Sequence, residues 1–396
     1  MSNTILTPTA VTREALRILH QKCNFIGNIN RQYDDSFANA GAKIGDSLKV
    51  RLPNQYTVRS GATLSTQDTT ESSTTLQIAT QKGVDVTFTS AELSLSLDDF
   101  SKRILDPAMA VLAANIEADA FTMLKDVYNV VDNDTAALTF NKLMVGRKRL
   151  NDNLTPIDSN RTCILNTQDN VDTVDALKGL FQDANAIKQQ YKEGMMGRTA
   201  GFDFYENTIM PAQTTGTAAK TTGYLSNGAT QSGAAITVDT GTTTFLVGDV
   251  ITFAGVFRVH PETKASTADL QTFVITANSG ASATSLAISP AVVATGATQN
   301  VSNTIADNSA VVKVGAGASE VYYQSLVFHR DAFTFATADL MMPKGVDFAA
   351  REVMDGISMR IVRDYVITSD TFPCRIDVLY GYKTLRAQMA ARLLSN

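Results

Sequence analysis

The spacing of apolar side chains changes several times along the chain, and each change marks a different structural part. After Thr7-Pro8, which fits an N-cap followed by proline at the first helical position, Val11, Ala15, Ile18, Leu19, Cys23 and Ile26 recur at helical spacing. This predicts an amphipathic N-terminal arm whose stripe packs either on its own subunit or on a partner. From Ile44 the pattern becomes strict alternation: Leu48, Val50 and Leu52 share one face of a strand, and Val84, Val86 and Phe88 share one face of another. Between them lies a polar segment, Thr57 to Thr74, far longer than an ordinary hairpin loop. Long loops in compact domains tend to be functional or disordered, and the reading here is a long extended hairpin arm.

The strongest helical seam follows. Asp106 can cap, Pro107 can take the first position, and Leu105, Met109, Leu112, Ile116, Ala120, Met123 and Val127 fall on one face. The predicted helix runs from Pro107 to about Val130 and would span roughly 35 Å at about 1.5 Å per residue. Between Phe140 and Pro211 short helices alternate with strands: a helix near Leu143 to Leu150, a strand at Thr162 to Leu165, a helix from Val171 to Leu180. From Thr214 to about Glu320 threonine, alanine and glycine dominate, and the runs Thr244 to Val247, Val250 to Phe253 and Phe273 to Thr276 alternate with turns. Strands this short and regular predict a small sandwich or barrel. Its inward set is read as Leu246, Val250, Ile251, Phe253, Val256, Phe273 and Ile275. Denser strands then return at Ser325 to Phe328, Ala332 to Ala336, Met359 to Val366 and Arg375 to Tyr380. The simplest account is one α/β domain interrupted by an inserted β domain.

Composition narrows the function classes. The net charge of -5 lacks the basic excess by which nucleic-acid binders neutralise phosphates. The short run Arg147, Lys148, Arg149 reads as a solvated helix face and is assigned no site. Cys23, Cys163 and Cys374 lie far apart with no CxxC spacing, which argues against a metal site or a disulfide framework and for a reducing compartment. No apolar stretch reaches the ~18 residues of a membrane span, and the start MSNTILTPTAVTREAL lacks a signal-peptide core. His20, His260 and His329 sit in no HExxH, HxE or nucleophile-elbow context. Gly315-Ala316-Gly317 lacks the third glycine of a dinucleotide fingerprint. The acidic runs Asp98-Asp99 and Asp132-Asn133-Asp134 adjoin helix ends, where dipoles and turns favour them. The expectation is a chain with no catalytic residues, no cofactor and no metal.

Five short segments in order carry a resemblance. They are Arg198 with Gly201-Phe202-Asp203 before Ile209-Met210-Pro211, then Gly248 to Val256, then Phe328-His329-Arg330-Asp331-Ala332-Phe333, then Ser358 to Tyr365, then Arg375 to Gly381. With the arm, hairpin, long helix and inserted β segment, the chain resembles the major capsid proteins of tailed bacteriophages, a fold shared with the herpesvirus capsid floor. More narrowly, it resembles the podovirus coat group that carries an inserted β-barrel. The resemblance implies an α+β fold in six parts: an N-terminal arm 1–43, an extended hairpin 44–92, a spine helix and peripheral domain 93–136, an axial domain 137–213, the inserted barrel 214–320, and return strands 321–396.

It also implies a structural, non-enzymatic subunit that assembles as hexamers and pentamers into the icosahedral head, with scaffolding and portal proteins as partners. Such a shell encloses double-stranded DNA without reading its sequence, is built in the host cytoplasm and involves no membrane. The competing reading is another virion component, a tail or decoration protein. Subunit contacts are assigned to Arg59, Asp68 and Glu71 on the hairpin and to Ile18 and Leu19 on the arm. Some members of the fold crosslink subunits through a hairpin lysine, but residues Thr57 to Ser73 contain Arg59 and no lysine, so non-covalent contacts are expected.

Overall fold

The computed structural model describes residues 12, 15, 23–33, 47–64, 66–68, 71–89, 106–133, 136–177, 198–354 and 357–395. The fold is α+β and strand-rich. The chain divides into two compact units: residues 1–50, 73–121 and 333–385, and residues 51–72, 122–332 and 386–396.

In the first unit a short helix, α1 (Asn24–Asn28), leads into strand β1 (Asn30–Tyr33). Strands β2 (Ser47–Arg51) and β3 (Ser73–Gln77) form a two-stranded sheet at the base of the hairpin. The main sheet has β4 (Thr80–Thr89) on the 14-residue strand β20 (Thr371–Thr384), which also carries β17 (Phe333–Ala338) and β19 (Ile357–Arg363); β18 (Phe348–Met354) pairs with β19. Strand β4 alternates exposed and half-buried positions throughout, so Val84, Val86 and Phe88 share one face as their spacing predicts.

The spine helix α2 runs Asp106–Phe121, with Pro107 in the first turn where its missing N–H is harmless. Met109, Leu112, Ile116 and Ala120 are buried, and Phe121 stacks on Phe25 of α1 at 4.6 Å. The α-helix is shorter than its apolar seam predicts. After Phe121 the chain tightens into a 3-10 turn, Thr122–Asp126, and bends toward β5 (Val130–Asp132). Asn129 holds that bend by donating to the carbonyls of Gln388 (3.3 Å) and Ala390 (3.0 Å). Met123 and Val127 remain buried, so the apolar seam continues although α-helical hydrogen bonds give way to 3-10 ones such as Val127 N–H to Leu124 O (3.1 Å).

The second unit is built on a mixed sheet in the order β5–β21–β16–β6–β8–β7, where β21 is Ala390–Ser395, β16 Val321–His329, β6 Arg161–Leu165, β8 Phe202–Glu206 and β7 Arg198–Thr199. Every residue of β6 and β21 is buried, including the polar Arg161, Thr162, Arg392 and Ser395, so neither strand shows the alternation of a half-exposed sheet. Helix α3 (Phe140–Asp152) packs Leu143 and Leu150 against Val327 and Leu393. Gly146 permits the close approach, since a Cβ there would meet Leu393 and Val327 at 3.0 and 3.1 Å. Helix α4 (Thr167–Leu177) follows β6.

Between β9 (Gln213–Thr214) and β16 the chain forms a closed barrel in the order β10–β11–β14–β13–β12–β15, with β10 Thr221–Ser226, β11 Gly233–Asp239, β14 Ser285–Val292, β13 Ser266–Ile275, β12 Val250–Val259 and β15 Ala310–Lys313. Its interior contains Ile251, Phe253, Val256, Phe273 and Ile275, as the sequence pattern predicts, with Tyr224, Ile236, Phe245 and Leu286. Two expected members face elsewhere. Leu246 is only partly buried, and Phe245 takes the interior place. Val250 belongs to a different apolar cluster, outside the barrel. The segment Thr244 to Val247 is not a strand, because side chains rather than a neighbouring backbone take its amides. Thr244 N–H donates to Thr217 Oγ1 (2.9 Å), Phe245 to Ser279 Oγ (2.7 Å), Leu246 to Asp249 Oδ2 (2.9 Å) and Val247 to Asn278 Oδ1 (2.8 Å).

Candidate functional site

Residues 52–72 leave the β2–β3 pair and tie themselves together mainly with side chains. At the base, Leu52 N–H donates to Ser72 O (2.9 Å) and Arg51 pairs with Glu71 (3.3 Å). Further out, Gln67 Oε1 accepts from Thr57 N–H (2.8 Å) and Thr57 Oγ1 (2.9 Å), while Gln67 Nε2 donates to Thr57 O (2.5 Å). Gly61 turns the tip at φ +91°, and Arg59 Nη1 donates to its carbonyl. Three large apolar side chains stand on this frame without cover: Val58 is 95% exposed, Leu64 78% and Tyr56 58%.

The structure thus brings Glu71 to Arg51 and turns Arg59 back on its own tip, while Asp68 is exposed. Ile18 and Leu19 lie outside the described residues. The apolar trio was not singled out from the sequence: Tyr56 and Val58 continue the parity of Leu48, Val50 and Leu52, but Asn54 interrupts the series and Leu64 stands alone among polar neighbours. Their being apolar in an otherwise polar segment is the signal that was available.

A second region of interest joins the barrel to the α/β sheet. Thr214 pairs with Val321, and Thr215 N–H donates to Glu320 O (2.8 Å), so the chain enters and leaves the barrel side by side. Val250 and Val274, adjacent on β12 and β13, pack with Val130, Tyr322 and Leu394 of the sheet. Beside this seam Arg392 is fully buried and donates to Val127 O (3.0 Å), Gln324 Oε1 (3.3 Å) and Gly248 O (2.8 Å). Burial pulls the Arg392 guanidinium down to about 10. Burial likewise raises the Asp249 carboxyl, against the amides of Gly216 and Leu246 that favour its charge, and lowers the Lys313 ammonium. Lys313 donates to Thr215 Oγ1 (3.2 Å) and Gly317 O (2.6 Å). These groups are consumed by structure.

The basic run is not the freely solvated face that composition implied. Lys148 Nζ reaches Asp269 on β13 at 3.0 Å, and Arg149 lies 3.9 Å from the same carboxylate. His329 is buried between Asp158 (3.3 Å) and Asp331 (3.7 Å), and His260 accepts the amides of Glu262 and Thr263 in a turn. Among the described residues no group of three or more His, Cys, Asp and Glu side chains could hold a metal ion, and no helix is long and apolar enough to cross a membrane.

Residues 19–394 match the model of the P22 coat protein family, described as P22 coat protein, gene protein 5. The chain belongs to that family. It is a major capsid protein, a structural subunit and not an enzyme, and many copies form the icosahedral head of the virion. No curated protein matches the sequence of this coat protein at a significant level. Solved structures with a similar chain course include Mycobacterium phage Che8, at 11% identity over 92% of this chain and 89% of that chain, with a TM-score of 0.47. The head of Helicobacter pylori bacteriophage KHP40 aligns at 10% identity over 88% and 84% of the two chains, with a TM-score of 0.45. The virus-like particle from Pyrococcus furiosus aligns at 7% identity over 97% of each chain, with a TM-score of 0.40.

Proposed function

We propose that residues 51–72 are the clamp by which one coat subunit holds the next, and that Tyr56, Val58 and Leu64 are its gripping side chains. The observation that carries this reading is their exposure on a tip already braced by its own hydrogen bonds. A braced tip loses little further backbone freedom on docking, so burying its apolar surface goes mainly into affinity. Arg59, Asp68 and Glu71 then lie at the rim of the contact, where charges contribute more to orientation than to affinity. Around this clamp the chain divides as the resemblance implies, into arm, hairpin, spine, axial domain, inserted barrel and return strands. It assembles as hexamers and pentamers in the host cytoplasm with a scaffolding and a portal protein, around double-stranded DNA that it does not read. The net charge of -5 supports this last point, since a strongly basic lining would hinder packing and release.

Deleting Gly61 to Ser72 is expected to leave a soluble subunit with an unchanged melting profile that no longer forms shells in electron micrographs. A milder pair, Val58→Ser with Leu64→Ser, removes two apolar contacts of roughly 1.5–3 kcal/mol each at full burial. It should raise the subunit concentration needed for assembly at least about tenfold. Assembly at the unmodified concentration, or unfolding of the milder variant, would overturn the assignment.

A further inference from the structure

The barrel is fixed to the α/β domain at two places of different chemistry. Near its stalk, Val250 and Val274 lie in the apolar seam with Val130, Tyr322 and Leu394. Eight residues further along β12, and on the facing part of β13, stand Arg258 and Asp269. Strand β12 bulges between Thr252 and Val259, so the distance is set by the five residues of β13 from Val274 to Asp269, and at about 3.3 Å per strand residue this second place is roughly 16 Å from the first.

There the last turn of α3 meets the barrel in a crossed set of ion pairs. Asp152 of the helix accepts from Arg258 of the barrel at 2.7 Å, and Asp269 of the barrel takes Lys148 of the helix at 3.0 Å, with Arg149 at 3.9 Å. Arg258 also lies 3.8 Å from Asp269, and Lys148 3.7 Å from Asp152. Each carboxylate is thus held by a cation from the other element. Three cations surround two carboxylates, and Arg258 is the buried member, its side chain only 7% exposed. Its Nε and Nη1 are buried without a hydrogen-bond partner, so its binding rests on the guanidinium edge that faces the two aspartates.

We infer that this cluster is an ionic latch that sets the angle of the barrel on its stalk, with the apolar seam as the pivot. A single attachment at the stalk would leave rotation about it open; a second attachment roughly 16 Å away closes that freedom. The two attachments also differ in how they open. Apolar contacts separate only by exposing surface to water, whereas Lys148 and Asp269 are 58% and 39% exposed and can exchange each other for water at little cost. The latch is therefore the part that can release while the seam holds. A subunit that must fit several quasi-equivalent places in a shell has a use for such a joint.

Amide hydrogen exchange of the full-length unassembled subunit tests this. In Asp152→Asn/Asp269→Asn, which keeps shape and removes both anions, the outer end of the β12–β13 ladder (residues 256–270) should exchange roughly tenfold faster. Ile251 and Phe273 in the barrel interior should keep their protection, and Asp269→Glu, which keeps the charge, should stay close to the unmodified protein. Unchanged exchange at residues 256–270 in the double variant would overturn the latch. So would loss of protection throughout the barrel, since the cluster would then support the barrel itself rather than its angle.

Discussion

Asp169, in the first turn of α4, is fully buried and accepts from Ser325 Oγ (2.5 Å), Ser395 Oγ (2.5 Å) and Asn166 Nδ2 (2.8 Å). It thereby links the helix to β16 and β21. Burial raises its carboxyl above the ordinary range, against the three donors that pull it back. The folded state therefore holds this proton to higher pH than the unfolded chain. The sign follows: its contribution to stability is greatest below about pH 4 and is lost as pH rises through the raised value. Asp169→Asn removes the titration and keeps the size. The expected result is that the variant gains on the unmodified protein as pH rises from about 4, and that the difference levels off above the raised value. Urea melts across that range measure it, and parallel curves would show that burial does not control this group. Gly83 makes a related point. A Cβ there would lie 2.4 Å from Ile376 O and 2.5 Å from Asp377 Oδ1, the carboxylate that holds Arg360 and Arg375, so the residue opposite a buried ion pair has to be glycine.

Among the elements, the barrel shows how far β-strand patterning carries. Runs rich in Val, Ile and Phe fold into β12 and β13, and Phe253 meets Phe273 edge to face at 5.7 Å in the interior. Phe253→Ala should cost the full chain about 3–5 kcal/mol, because both the transfer of the ring and the cavity it leaves count against the fold. The loss is read as a lower urea midpoint with unchanged slope. Patterning fails at Thr244 to Val247, where local composition favours a strand but Asp249, Asn278, Ser279 and Thr217 bind the amides first. Partners up to 34 residues away make that choice, and no short window contains them. The apolar period of the spine helix also runs on past its end at Phe121, where a 3-10 turn takes over and Asn129, eight residues on, is held by the distant carbonyls of Gln388 and Ala390.

At the scale of the whole molecule, the adjacency of Thr214 and Val321 lets an entire barrel stand within one α/β unit without disturbing the sheet order around it. The roughly 100 residues from Thr214 to Glu320 can bury a core of their own and should fold when excised. They would then expose Val250 and Val274 and leave Gly248 O without Arg392. The expected outcome is a dispersed amide NMR spectrum and a cooperative melt, together with self-association that Val274→Ser reduces. A spectrum without dispersion would show that the barrel depends on the seam to fold.

The sequence by itself determined the kinds of part and their order. Helical, alternating and threonine-rich segments succeed one another along the chain. Those are local properties, set by the period of burial and by turn chemistry within a few residues. Only the tertiary structure decided which face of β12 Val250 occupies, that Lys148 and Arg149 engage Asp269, that Arg392 crosses from the last strand to Gly248, and that three apolar side chains of the hairpin lack cover. Each of these depends on residues distant in the chain becoming neighbours. Burial and charge pairing are properties of that neighbourhood, not of the residue alone.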